Sequence, residues 1–195
     1  MLILIESDDF KYVIREVELL SRLNSDRIVH YFDCWTETMP LFGHPAKHLL
    51  IKMELCDQNL QMVIDSIAEE IASEFLVFRH FICGEIFKEL TECVAFLHSQ
   101  PKPIIHRDLK PLNVLISNNG INGHFLKLCD FGLSVVHETS VHTEDVGSDD
   151  FMAPEVKNSR QYNIRADIYS LGIIGAKLFF IKYQKNPNGL VQLNM

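Results

Sequence analysis

Three short polar clusters, met in a fixed order, restrict this chain more than anything else in it. His106-Arg107-Asp108-Leu109-Lys110-Pro111-Leu112-Asn113 comes first, Asp130-Phe131-Gly132 second and Ala153-Pro154-Glu155 third. The first sets a carboxylate, a cation and a carboxamide around a proline, a mixture that suits a loop better than a regular element. Gly132 permits a backbone turn that would strain other residues. Any fold that uses these clusters together must bring Asp108 and Asp130 to one place.

The 195 residues suffice for one core or for two small lobes sharing a cleft. With 47% hydrophobic and 23% charged residues the composition is that of a globular chain. A net charge of −8 argues against a nucleic-acid surface, which needs a basic stripe. The five cysteines contain no Cys-x-x-Cys, so free thiols in a reducing, cytoplasmic compartment are expected. Met1 to Ile5 is too short and too close to Glu6, Asp8 and Asp9 to be a signal peptide, and reads as a strand end. Leu171 to Ile181 is apolar but too short to cross a bilayer. Pro45 between His44 and His48 spoils a helical metal pair.

Along the chain, residues 10–23 read as an amphipathic helix with Val13, Val17, Leu20 and Leu23 on one face. Ile28 to Trp35 and Leu49 to Leu55 read as an antiparallel pair of strands, with a turn over Pro40 to Pro45. A hinge is expected near residues 55–59, and mainly helix beyond it. Phe78, Ile82, Ile86, Leu90 and Val94 predict a long helix with one buried stripe, ending near His98. Pro101 and Pro103 force extended chain into the first cluster. Val114-Leu115-Ile116 and Leu126-Lys127-Leu128-Cys129 predict two strands joined by a polar turn over Ser117-Asn118-Asn119-Gly120 and its continuation. A last helix is expected to begin near Asp167 and to run through Leu171, Ile174 and Leu178, and the tail after Lys185 has no helical stripe.

The chemistry these residues favour is transfer of a phosphoryl group, which needs positioning and charge neutralisation more than covalent help. The Asp108 carboxylate suits acceptance of a proton from an incoming hydroxyl. Lys110 can offset charge on the transferred group. Asn113 and Asp130 offer oxygens of the kind that Mg²⁺ takes together with phosphates. A lone aspartate is more often a turn or cap residue; the eight-residue context and the companion clusters make the difference.

On these motifs the chain resembles the eukaryotic protein kinase superfamily, of serine/threonine type because of Lys110-Pro111. The resemblance implies an α+β, two-lobe kinase-like fold, with a partial N-lobe over 1–58 and a partial C-lobe over 59–195. It implies ATP and Mg²⁺ as cofactors and a protein serine or threonine hydroxyl as acceptor. By the same resemblance Asp108 is the catalytic base, Lys110 and Asn113 complete the catalytic set, and Asn113 and Asp130 hold metal. Met53 is the gatekeeper, Glu54 and Cys56 offer backbone groups to adenine, and Leu115 lines the nucleotide site.

Glu16 matches the αC glutamate, and Glu18 reads as solvated. Leu20, Tyr31, His106 and Phe131 match the regulatory spine, and Arg107 the arginine that receives an activation-loop phosphate, for which Thr139, Ser140, Thr143 and Ser148 are candidates. Asp167 matches the αF aspartate that holds the catalytic loop, with a helix cap as the plain alternative. The phrases around Glu16, Trp35, Met53-Glu54-Leu55-Cys56 and Asp167 to Ile174 resemble the stress kinases that act on the alpha subunit of translation initiation factor 2. An acidic loop with Glu138, Glu144, Asp145, Asp149 and Asp150 suits basic substrate peptides.

The resemblance runs from about residue 2 to about residue 182. No Gly-x-Gly-x-x-Gly is present, Lys11 is the only lysine before Glu16, and the later C-lobe helices are missing. The expectation is a truncated domain, inactive or barely active by itself, with Glu155 left as a buried charge without its arginine. A pseudokinase or interaction module is the competing reading.

Overall fold

A computed structural model describes residues 2–6, 14, 17–19, 21–41, 44–70, 75–131, 135–136, 150–158, 163–185 and 191–193. Glu16, Leu20, Gly132, the four candidate phosphosites and all of the acidic loop except Asp150 lie outside them.

The first part of the chain forms an antiparallel sheet of three strands, β1 (Leu2–Glu6), β2 (Tyr31–Leu41) and β3 (His44–Met53), with β3 in the middle. Leu4 and Trp35 both pair with Leu50. Leu49, Leu50 and Ile51 are all buried, as a central strand covered on both faces requires. The two strands are joined within the expected Pro40–Pro45 stretch, but its ends belong to the ladder, where Pro40 and Pro45 face each other. Both lie beyond the last residue paired with β1, where a proline's missing N–H deprives no second neighbour. Of the first expected helix, residues 17–19 and 21–22 are helical, with Val17 and Leu19 packed on the core and Glu18 exposed.

The short strand β4 (Gln58–Asn59) then leads into helix α1 (Leu60–Glu70). The long helix α2 (Leu76–His98) ends where the prolines predict. Its buried face is Cys83, Leu90, Cys93, Val94 and Leu97, whereas Phe78 is exposed and Ile82 and Ile86 only half-buried. A stripe with a period of four drifts about 40° per step around a 3.6-residue helix, so its first members leave the core.

The strand β5 (Ile104–Ile105) precedes the first cluster, whose last residues form a 3₁₀ turn over Pro111–Asn113. Strands β6 (Val114–Ile121) and β7 (His124–Leu128) follow as a hairpin, with Val114 opposite Leu128. Ser117–Gly120, the first part of the expected turn, is strand; the chain reverses in its continuation, at Asn122 and Gly123, with φ of 54° and 80°. An Asn-Gly pair is the favoured two-residue hairpin turn, since both positions need positive φ. The Glu89 carboxylate of α2 accepts the backbone N–H groups of Phe125 and Leu126, which ties the hairpin to the helix.

After β8 (Val135–Val136) and the short helix α3 (Pro154–Asn158), helix α4 (Arg165–Leu178) crosses α2. The approach is close: a Cβ on Gly175 would sit 2.8 Å from the Phe87 ring, and the Cys83 thiol donates to the Leu178 carbonyl at 3.2 Å. Two further strands, β9 (Tyr183–Lys185) and β10 (Val191–Leu193), form a hairpin in the tail. Glu155 is exposed, so the expected cost of a buried unpaired charge does not arise in this structure.

Candidate active site

The loop from His106 to Asn113 is held from a distant element. Asp167, in the first turn of α4, is fully buried. Its Oδ2 accepts the His106 N–H at 2.9 Å and its Oδ1 the Arg107 N–H at 3.0 Å. The same Oδ2 lies 2.8 Å from Nε2 of His98, the last residue of α2. The N-cap of α4 is Ile164, so Asp167 serves the loop and is no helix cap. With two loop amides fixed, Arg107 is driven to φ 73°, a left-handed conformation that costs a non-glycine residue about 1–2 kcal/mol. Burial pushes the Arg107 guanidinium down to about 10, with the Asp167 carboxylate pulling the other way.

His106 closes the loop against the Asp130 segment. Its Nε2 lies 2.9 Å from the Cys129 carbonyl, which only accepts, so the ring proton sits there and Nδ1 takes the Asp108 N–H at 3.4 Å. The ring packs on Phe131, with centroids 5.0 Å apart. Phe131 is fully buried and Tyr31 packs on the same core. Burial raises the Tyr31 hydroxyl to about 12.

Within this frame the candidate polar groups converge. The Lys110 ammonium lies 2.6 Å from the Asp108 Oδ2. The Asn113 amide donates to the same Oδ2 at 3.0 Å, to the Asp108 carbonyl at 2.9 Å and to the Asp130 Oδ2 at 3.2 Å. Asp108 and Asn113 are buried, while Asp130 is exposed and has φ 63°. The spacing follows from the hairpin: Asn113 enters β6, Asp130 leaves β7, and the Cys129 N–H donates to the Asn113 carbonyl at 3.1 Å. One carboxamide thus links two carboxylates that the sequence holds far apart.

The nucleotide-side candidates join the same frame. Met53 ends β3, buried and opposite Tyr31. The Glu54 N–H donates to the His30 carbonyl at 2.8 Å, and Cys56 follows it half-buried. Leu115 sits on β6 opposite Lys127. An ion pair between Lys127 and Glu54, 3.0 Å long, ties β7 to the end of β3. Sequence reasoning missed this pair and missed His98; a lysine inside the apolar run Leu126–Cys129 was the one available hint.

Comparison with known proteins agrees with this geometry. The family model described as "Protein kinase domain" matches residues 4–188. The chain belongs to the protein kinase family. It is 31% identical over 182 residues to the rat interferon-induced, double-stranded RNA-activated protein kinase, covering 86% of this chain and 33% of that one. It is also 31% identical over 173 residues to the serine/threonine-protein kinase ppk11 of Schizosaccharomyces pombe, covering 88% of this chain and 49% of that one. The chain therefore spans a third to a half of the length of these relatives. Among solved structures, the yeast RNA Pol II CTD kinase CTDK-1 complex shares the fold, with a TM-score of 0.66, 24% identity, and coverage of 92% of this chain and 54% of the other.

Proposed function

We propose that this domain transfers the terminal phosphoryl group of ATP to a serine or threonine hydroxyl of a protein. The observation that carries the reading is the Asp108 carboxylate held between the Lys110 ammonium and the Asn113 amide, with that amide also reaching Asp130. Asp108 accepts the proton of the attacking hydroxyl. Lys110, its ammonium beside that carboxylate, offsets charge on the phosphoryl group in flight.

The donor set fits a hard divalent cation. Asp130 presents an exposed carboxylate, and Asn113 turns its NH₂ to the two acids, which leaves its carbonyl oxygen for another partner. Asn113 and Asp130 are the residues that would hold Mg²⁺, whose chemistry is to neutralise the phosphate oxygens. Glu54 and Cys56 offer backbone groups to the base, beside Met53 and Leu115. The relatives named above are kinases, which favours the enzyme over a non-catalytic interaction module.

The acceptor protein suggested by the stress-kinase phrases is the alpha subunit of translation initiation factor 2. The five free thiols suit a cytoplasmic setting. The test is phosphorylation of that subunit by the full-length protein with Mg-ATP. Asp108→Asn, which keeps the side chain's shape, is expected to lower turnover about 10²–10⁴-fold. Turnover within about twofold of the parent protein removes Asp108 from the proposed role.

A further inference from the structure

The most unusual charged group outside the cluster is Lys127. It stands between Leu126 and Leu128 on β7 and is 3% exposed. Lysine is almost never this buried without a partner. Its ammonium lies 3.0 Å from the Glu54 Oε2, and that same oxygen accepts the His30 N–H at 3.1 Å. Because the Glu54 N–H also donates to the His30 carbonyl, Glu54 is fixed by backbone, by carboxylate and by the buried cation.

Two features place this pair where position matters. Residues 27–30 are laced to β7, with the Leu128 N–H donating to the Arg27 carbonyl at 2.9 Å and the Val29 N–H to the Leu128 carbonyl at 3.0 Å. The strand bearing Lys127 runs on directly to Asp130, and Leu115 faces Lys127 across the hairpin. One buried cation is thus paired with the residue assigned to the base and stands on the strand that leads to the carboxylate assigned to the metal. A pair whose cation is buried while its carboxylate is 22% exposed is seldom justified by stability alone, because an apolar replacement of similar volume is often neutral or better. What such a pair gives is a fixed geometry.

We propose that Lys127, through Glu54, is a positioning residue that sets the purine-base end of the nucleotide site relative to the metal-binding end. The inference rests on the kinase reading above, in which Glu54 and Cys56 meet the base. In this role Lys127 acts through its contact with Glu54, the residue assigned to the base.

The experiment uses the full-length protein, with Lys127→Met, Lys127→Arg and the double variant Glu54→Gln/Lys127→Met. Binding of a fluorescent N-methylanthraniloyl-ADP with Mg²⁺ is measured beside the KM for ATP, the KM for the protein substrate, kcat and thermal melting. Lys127→Met is expected to weaken nucleotide binding and raise the KM for ATP about tenfold, with kcat and the protein KM within about twofold. Lys127→Arg keeps the charge and is expected to recover most of the loss. The double variant, which removes the buried cation together with its part-exposed partner, is expected to melt like the parent yet keep the weakened nucleotide binding.

Unchanged nucleotide affinity in Lys127→Met overturns the proposal. So does a uniform loss in every parameter that tracks a lowered melting temperature, or a failure of both Met-bearing variants to fold, since each would make the pair structural only. A parent protein that binds no adenine nucleotide counts against the kinase reading itself. Binding by parent and variant alike counts against the strut alone.

Discussion

The catalytic-type loop and the three-stranded sheet hold their shapes by opposite means. In the sheet, main-chain ladders run from β1 to β3 and from β3 to β2, broken only by an irregularity at Phe32, and side chains such as Phe32, Thr36 and Thr38 stand in solvent. The loop after Ile105 has no ladder. Residues His106 to Leu109 are all buried, and the backbone of His106, Arg107 and Asp108 is held by side chains from elsewhere, chiefly Asp167 and Asn113. A ladder tolerates exchange of the side chains it carries. A loop held by three or four polar atoms does not, so sensitivity to substitution should concentrate there.

The sharpest way to break that contrast is Asp167→Asn. Whichever way the amide turns, its NH₂ meets a donor, either the Arg107 N–H or the pair formed by His98 and the His106 N–H. A loss of ~3–5 kcal/mol in urea unfolding is expected, as for a broken buried ionic network. A cost below ~1 kcal/mol would show that the loop does not depend on this carboxylate.

A second probe is alkaline pH. Burial pushes the Cys93 thiol up to about 12 from a usual 9. The folded chain therefore keeps a proton that the unfolded chain sheds, and this stabilisation is complete below pH 9 and lost as pH rises toward 12. Unfolding free energies of the parent protein should fall relative to Cys93→Ala by about 1.4 kcal/mol per pH unit above 9. Parallel pH curves for the two would remove the effect.

Gly123→Ala should cost ~1 kcal/mol. Nothing lies within 4 Å of the added methyl, so the whole penalty is the strain of φ 80°. A larger loss would mean that the hairpin turn also packs on something. Smallest of all, Thr38→Ala on the exposed edge strand should change stability by no more than ~0.5 kcal/mol, and a greater change would blur the contrast between ladder and loop.

Much of the order of strands and helices was legible because it follows from local pattern (β-branched runs, proline stops, an apolar stripe), whereas α1, β4 and the paired tail strands β9 and β10 carry no such mark. The candidate site was legible because its residues come in contiguous words, His106 to Asn113 and Asp130-Phe131. What the sequence hid was of two kinds. The Asn122-Gly123 reversal lies in the continuation of the polar stretch that opens at Ser117, so a turn was legible there and its place within the stretch was not. The bonds from His98 to Asp167 and from Lys127 to Glu54 join elements far apart in the chain, and no period or motif encodes which distant partner a buried charge will meet.

The position of Asn113 has one more consequence. Its NH₂ group lies against both acids, so each of its two protons experiences the field of a neighbouring carboxylate. A single isotope-labelled carboxamide therefore offers a built-in spectroscopic gauge. Arrival of a cation at Asp130, or of a hydroxyl at Asp108, would be read as a chemical-shift change at one reporter without altering a residue.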